Sequence, residues 1–232
     1  MFAKFLDSLS VQEIQQLNWI LTFVLVFISL VILLPALFKV IQRWRLLQKI
    51  QSLGKDSLHY VNLPDGLGGH LFYEHLLLTK NGIVIYTLAR YRGNVFAAEK
   101  IDIWTQVENN RSYKFPNPLI ELESKKVALK ALIRKVPIQT GILVARNVDF
   151  PKGKPENVHL LNTLAPANNE EINPEYHDAW IKLKKTGQPL SENERNIYID
   201  KEEQNTYWGR FLFAGLLLLL ALVLFLNTHF TF

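Results

Sequence analysis

Between residues 90 and 135 the sequence gathers Arg90, Arg92, Arg111, Lys114, Lys125, Lys126, Lys130, Arg134 and Lys135. Arg90 and Arg92 flank Tyr91, and cations interleaved with an aromatic ring suit a nucleic-acid backbone, where charge is neutralised and bases stack. The same groups suit anionic lipid headgroups, so a polynucleotide and a membrane surface stand side by side as partners. Glu121 and Lys125 are four residues apart and share one face of a helix, and their plain reading is a surface ion pair. His75 reads as a hydrogen-bonded structural histidine rather than a metal ligand. The chain has no cysteine, which removes disulfides, thiolate nucleophiles and zinc–thiolate sites. It also lacks a glycine-rich phosphate loop, a Ser–His–Asp order and an HExxH run.

The elements that must position these residues follow from periodicity and turn chemistry. A short helical run from Leu46 stops at Gly54, and residues 58–63 read as a strand. Residues 71–79 alternate, which places Phe72, Glu74, Leu76 and Leu78 on one face and Leu71, Tyr73, His75 and Leu77 on the other. Lys80-Asn81-Gly82 is a tight turn into a β-rich run at 83–89, and 94–97 starts a further short strand. Pro118 opens a helix behind Asn117 as N-cap, running to about residue 134 with Leu119, Leu122, Val127, Leu129, Leu132 and Ile133 apolar. Residues 138–145 form a buried-type strand and 158–161 a last short one. Residues 174–185 form a helix on which Tyr176, Trp180 and Leu183 repeat, and 186–205 read as a polar linker. The order is thus helix, three strands, helix, strand.

Two uncharged stretches bracket this region. Residues 19–38 hold twenty residues without a charge, about the 30 Å of a hydrocarbon core. Acidic residues precede the stretch and no small-residue cleavage site follows it, so it reads as an anchor rather than a signal peptide. Pro35 sits near the end of this span, where a broken ladder bond matters least. Residues 211–226 form the second span, with Tyr207 and Trp208 at the near interface. Only Lys4, Asp7 and Glu13 are charged outside 39–210, although the chain carries +5 overall. Lys39, Arg43, Arg45, Lys49 and Lys55 follow the first span with no acid among them. The positive-inside bias then predicts a multi-pass protein of the inner (plasma) membrane, its centre cytoplasmic and both termini extracytoplasmic. The divisions expected are an N-terminus over 1–18, a span over 19–41 and a soluble domain over 42–165. A helix and linker follow over 166–209, then a second span over 210–228 and a C-terminus over 229–232.

The stretch 70–129 resembles the nuclease-related domain family (NERD), a branch of the PD-(D/E)XK restriction-endonuclease-like fold. The family run is E-I-D-H, a few apolar residues, then G-I-F-V-I-E-T-K-N-Y-x-G, a tryptophan, and N-P-L-x-Q-N-x-x-H-x-x-A-L. This chain has Phe72-Tyr73-Glu74-His75, Gly82-Ile83, Tyr91-x-Gly93, Trp104, Asn117-Pro118-Leu119 and Ala128-Leu129. The resemblance implies an α/β (mixed α+β) restriction-endonuclease-like domain flanked by two transmembrane helices. It also implies a catalytic set of aspartate, glutamate and lysine in which carboxylates hold Mg²⁺ and the lysine helps activate water. The sequence departs from that set. Glu74 stands at the aspartate, Thr87 at the glutamate, Ala89 at the lysine and Phe72 at the leading glutamate.

Three readings follow. A degenerate set, with Glu74 alone as a weak ligand and no resident cofactor, leaves a non-catalytic binding or scaffolding module at the membrane face. Catalytic side chains in this superfamily can instead migrate to a neighbouring element. Glu121 and Lys125 stand where the family has glutamine and histidine, so Glu74, Glu121 and Lys125 would rebuild a Mg²⁺-dependent nuclease. The basic residues Arg90, Arg92, Lys125 and Lys126 would then meet nucleic acid. The third reading is a transmembrane subunit whose spans pack on a protein partner through Ser29, Ala214, Gly215 and Ala221.

Overall fold

A computed structural model describes residues 10–146, 148–167, 171–190 and 201–230. The helices are α1 (Val11–Gln51), α2 (Pro118–Leu132), α3 (Pro174–Thr186) and α4 (Lys201–Phe230). The strands are β1 (Asp56–Pro64), β2 (His70–Thr79), β3 (Gly82–Ala89), β4 (Asn94–Phe96), β5 (Ile103–Glu108), β6 (Arg111–Pro116), β7 (Ile138–Val144), β8 (Val158–Leu160) and β9 (Gln188–Pro189). The chain divides into two compact units, one of residues 1–44 with 196–232 and one of residues 45–195.

In the first unit, α1 and α4 are long and apolar enough to cross a membrane. A capping box starts α1: the Ser10 backbone N–H donates to Glu13 Oε2 at 2.8 Å and the Glu13 N–H donates back to Ser10 Oγ at 3.4 Å. Thr22, Ser29 and Ala36, spaced by seven, are buried, as are Ala214 and Ala221, also spaced by seven. Small side chains let two backbones approach closely, and Ser29 Oγ donates to the Ala214 carbonyl at 3.0 Å. Trp19 meets Phe225 edge-to-face at 5.5 Å, so the two helices run antiparallel. Most of the small residues assigned to a foreign partner thus line a seam inside the chain, Gly215 excepted, which stands in open space.

Two expectations about this region need correction. The helical run from Leu46 is not separate, because one helix continues from Val11 to Gln51. Pro35 therefore lies inside a helix rather than near its end, and the bond its missing N–H would make is absent in mid-course. At 1.5 Å per residue the helix is about 60 Å long, roughly twice a hydrocarbon core. Of the linker expected at 186–205, residues 188–189 form β9 and join the sheet, 201–205 belong to α4, and 191–200 lie outside the described residues.

The second unit is a mixed α+β domain. Its six-stranded sheet has the order β8-β7-β3-β2-β1-β9, antiparallel across β3-β2-β1-β9 and parallel across β3-β7-β8. The strands expected at 71–79, 83–89 and 138–145 are adjacent in it. One face carries the main core, with Leu76, Leu78, Ile83, Ile85 and Ile142 beneath Leu122 and Leu129 of α2 and Trp180 and Leu183 of α3. A smaller core of Ile50, Leu143 and Leu161 gathers Leu46, Leu53, Tyr86 and Leu88. Helix α2 meets the expectation for Leu122, Leu129 and Leu132, whereas Val127 is exposed.

Three strands form a second sheet, β4-β5-β6, of which the sequence reading found only the first. Residues 103–116 pair as a hairpin around Asn109 and Asn110, both with positive φ. Its Trp104 is fully buried and clusters with Phe115 and Tyr91.

Candidate functional site

The site forms where the main sheet loses its regularity. Pairing of β2 with β3 stops at His75 and Tyr86, and Tyr60, across β1 from Glu74, adopts a left-handed φ of 53°. The expected alternation breaks there: Leu71 and Tyr73 pack into the same core as Leu76 and Leu78 instead of opposing them. A residue with φ > 0 cannot continue the pleat, so the strand pair twists locally and re-aims its side chains. Freed from the ladder, the Leu88 N–H donates to Glu74 Oε2 at 2.9 Å.

Glu74 is thereby fixed at the splayed edge, its side chain 20% exposed. Burial pushes its carboxyl above the ordinary range, while the Leu88 N–H and the positive charges of Lys125 and Arg90 pull it back down; the negative charge of Glu121 adds to the rise. The three candidates of the migrated arrangement therefore share one electrostatic neighbourhood. Lys125 Nζ lies 2.6 Å from Glu121 Oε1 and 5.7 Å from the centre of the Phe72 ring. Its backbone carbonyl accepts from the buried Tyr73 hydroxyl at 2.9 Å. Lys125 is only 7% exposed, whereas the Glu121 side chain is 70% exposed. The plain reading of a surface ion pair is thus corrected: an exposed carboxylate reaches over a buried ammonium.

The other candidates separate. Lys126 turns to Glu123 at 3.0 Å and does not join the group. Arg92 lies 3.8 Å from Glu108 on β5, tying the segment after β3 to the second sheet. Tyr91, between the two arginines, packs tilted against Phe115 with ring centroids 5.2 Å apart. Thr87 and Ala89 pair with Ile142 and Val144, and Ala89 is buried in the main core. Among the described residues no cluster of three or more His, Asp or Glu side chains is arranged to hold a metal.

Asn117 has a structural task that the sequence reading gave only in part. Its Oδ1 caps α2 by accepting from the Leu119 N–H at 2.9 Å. Its Nδ2 also lies 2.8–3.4 Å from the carbonyls of Ala98, Glu99 and Ile101, and Trp104 Nε1 donates to Ala98 at 2.9 Å. The motif Asn and Trp thus pin the loop that leads into β5 and hold the start of α2 in place. Exactness in that start matters, since it sets where Glu121 and Lys125 project one turn later.

Residues 40–148 match the family model of the nuclease-related domain. This segment is a nuclease-related domain. The PD-(D/E)XK fold is the general kind for such domains, and the mixed sheet with α2 laid on it agrees with that. No curated protein and no solved structure matches the chain. The Mg²⁺ that the family resemblance implies would find two carboxylates here, one of them already paired with Lys125. Mg²⁺ takes one or two carboxylates plus substrate phosphate and water, and Glu74 with Glu121 supplies two. A concavity of about 320 Å³ lies elsewhere, lined by residues such as Lys55, Lys80, Val84, Tyr86 and Gln139. It is not lined by any of these site residues, and the chemistry decides the site here, not the volume.

Proposed function

We propose that this protein is a membrane-anchored, Mg²⁺-dependent nuclease in which the acidic and lysyl roles have moved from β3 to α2. The observation that carries this reading is the buried Lys125 held 2.6 Å from Glu121 in the field of Glu74. A lysine this buried is costly to keep unless its charge is used or paired. Strand β3 has Thr87 and Ala89 where the family has a charged pair, and α2 carries a charged pair whose members both act electrostatically on Glu74.

In this reading Glu74 and Glu121 would hold the ion, which when bound would supply Lewis-acid polarisation of a phosphodiester and a more acidic water. The protein's own groups do the rest. The Leu88 N–H fixes Glu74 through Oε2. Lys125 donates N–H to a non-bridging phosphate oxygen, where a charge-assisted bond is strongest in a water-poor site. Arg90 adds a second positive charge on the same side, and Arg92 with Tyr91 offers a phosphate and stacking contact further along the strand. Cleavage of single- or double-stranded DNA or RNA by the detergent-solubilised full chain tests this, with Glu74→Ala, Glu121→Ala and Lys125→Met as controls.

A second reading, a non-catalytic binding or scaffolding module, is favoured by one observation. Glu74 already spends one oxygen on the Leu88 N–H, and burial raises its pKa, so it is a weaker ligand than a free carboxylate. Binding without cleavage, unchanged by Glu121→Ala, would select it.

For the membrane, the supported statement is that two helices can span. We place both termini on one side and residues 45–195 on the other, since antiparallel spans return the chain to the side it left. The basic run after the first span supports the cytoplasmic side of an inner membrane for the domain.

A further inference from the structure

The splayed edge that holds Glu74 also holds two imidazoles that the proposed reaction does not use, one buried and one half-buried. His59 on β1 and His75 on β2 face each other across the antiparallel ladder, with their Nδ1 atoms 2.7 Å apart and rings edge-to-face at 4.9 Å. His75 is 0% exposed, and the Nε2 atoms of both rings are buried without a hydrogen-bond partner. His75 Nε2 is not aimed at nothing, however, since it lies 3.8 Å from Glu74 Oε1.

Proton counting narrows what this pair can be. Both rings count as neutral, because His75 is fully buried, neither Nε2 has a hydrogen-bond partner, and an imidazolium so placed would be an unpaired buried charge. A neutral imidazole carries one N–H. Two facing Nδ1 atoms at hydrogen-bond distance need one proton between them, so one ring is the Nδ1–H form and the other the Nε2–H form. If His75 supplied the shared proton, its bare Nε2 lone pair would face the lone pairs of the Glu74 carboxylate. If His59 supplies it, the His75 proton must sit on Nε2 and point at Glu74 Oε1.

We infer that His59 donates from Nδ1 to His75 Nδ1, and that this fixes His75 as the Nε2–H tautomer directed at Glu74, making His75 a positioning residue for that carboxylate. The two Glu74 oxygens then face different donors, Oε2 the Leu88 N–H and Oε1 the His75 N–H. At 3.8 Å the second contact is electrostatic, and closing it by about 1 Å makes it a hydrogen bond. Carboxylates and imidazoles that ligate metals are oriented by outer partners of this kind, and losing one weakens metal affinity by roughly 10–100-fold. The tautomer stands on the geometry alone, while its use in metal binding rests on the reading proposed above.

Nitrogen-15 NMR of the histidine-labelled full chain in detergent micelles tests the tautomer without reference to activity. The expected result is a protonated Nε2 and an unprotonated Nδ1 at His75, with the opposite pattern at His59. Glu74→Gln should shift the His75 Nε2 signal, and His59→Phe should release His75 into a mixture of tautomers. A protonated Nδ1 at His75, or a His75 signal indifferent to Glu74→Gln, overturns the inference. Mn²⁺ titration of the same samples separates this from the nuclease reading. His75→Phe is expected to weaken Mn²⁺ binding at least about tenfold, and His75→Gln, which keeps an N–H donor, to restore part of it. Absence of Mn²⁺ binding by the unmodified protein counts against the nuclease reading and leaves the tautomer to be decided by NMR.

Discussion

At the scale of single residues, Lys125 carries the most consequence, because a nearly buried ammonium has to be paired. Glu121→Ala strands that charge beside the Phe72 ring and is expected to lower stability by about 1–2 kcal/mol. Lys125→Met removes the charge at similar volume and is expected to hold or raise the melting temperature while abolishing cleavage. Thermal unfolding followed by near-UV circular dichroism, set beside cleavage assays, separates these effects. Loss of stability in both variants to the same degree would mean that the pair only holds the fold. The histidines add a pH signature. His75 has its folded pKa depressed from 6.5 to about 3 by burial and by the neighbouring His59, so the unfolded chain binds the extra proton first. The stability that comes from keeping it neutral is complete above about pH 6.5 and declines as pH falls toward 3. The melting temperature should therefore drop on acidification from pH 7 to 4, less steeply in a His59→Phe/His75→Phe variant. Of these residues, the sequence disclosed the identities of Glu74, Glu121 and Lys125 and the spacing of the last two. It did not disclose the burial of Lys125, which depends on α2 lying over a strand edge more than forty residues earlier, nor the pairing of His59 with His75, which needs the register of β1 on β2.

Among the elements, those with local signatures were the readable ones. The turn at Lys80-Asn81-Gly82, the Asn117-Pro118 helix start and the apolar run of β7 each carry their cause within a few residues. The hairpin of β5 and β6 was missed, because its two runs meet at Asn109-Asn110, and Asn-Asn is a weaker turn signal than Asn-Gly. The broken alternation at Glu74 was not legible, because nothing in the local sequence marks Tyr60 for a positive φ. The anchor of α2 gives a sharp test. Aspartate is ordinarily as good an N-cap as asparagine. Here Asn117→Asp would turn a carboxylate toward the carbonyls of Ala98, Glu99 and Ile101 in place of an N–H donor. It is expected to destabilise by at least about 2 kcal/mol, more than Asn117→Ala, because an unpaired charge is buried. Equal melting temperatures for Asp and Asn at this position would show that the loop bonds contribute nothing.

The chain carries two helices long and apolar enough to cross a membrane and a mixed α+β domain, and both parts were largely readable from hydropathy and from motif spacing. The continuity of α1 was not, because the charged residues after Phe38 look like a boundary although helix propensity carries on through them. A reporter fused at the C-terminus should behave as exported, and activity confined to the cytoplasm would reverse the proposed orientation. The central claim is that Glu74, Glu121 and Lys125 form a working site. It is tested most directly by incubating the purified full chain with labelled single- and double-stranded DNA and RNA, with Mg²⁺, Mn²⁺ or a chelator. The account expects metal-dependent cleavage that falls by at least about 10²-fold in Glu74→Ala, Glu121→Ala and Lys125→Met, each variant still folded. No cleavage above background in any condition, or cleavage untouched by all three substitutions, would contradict it.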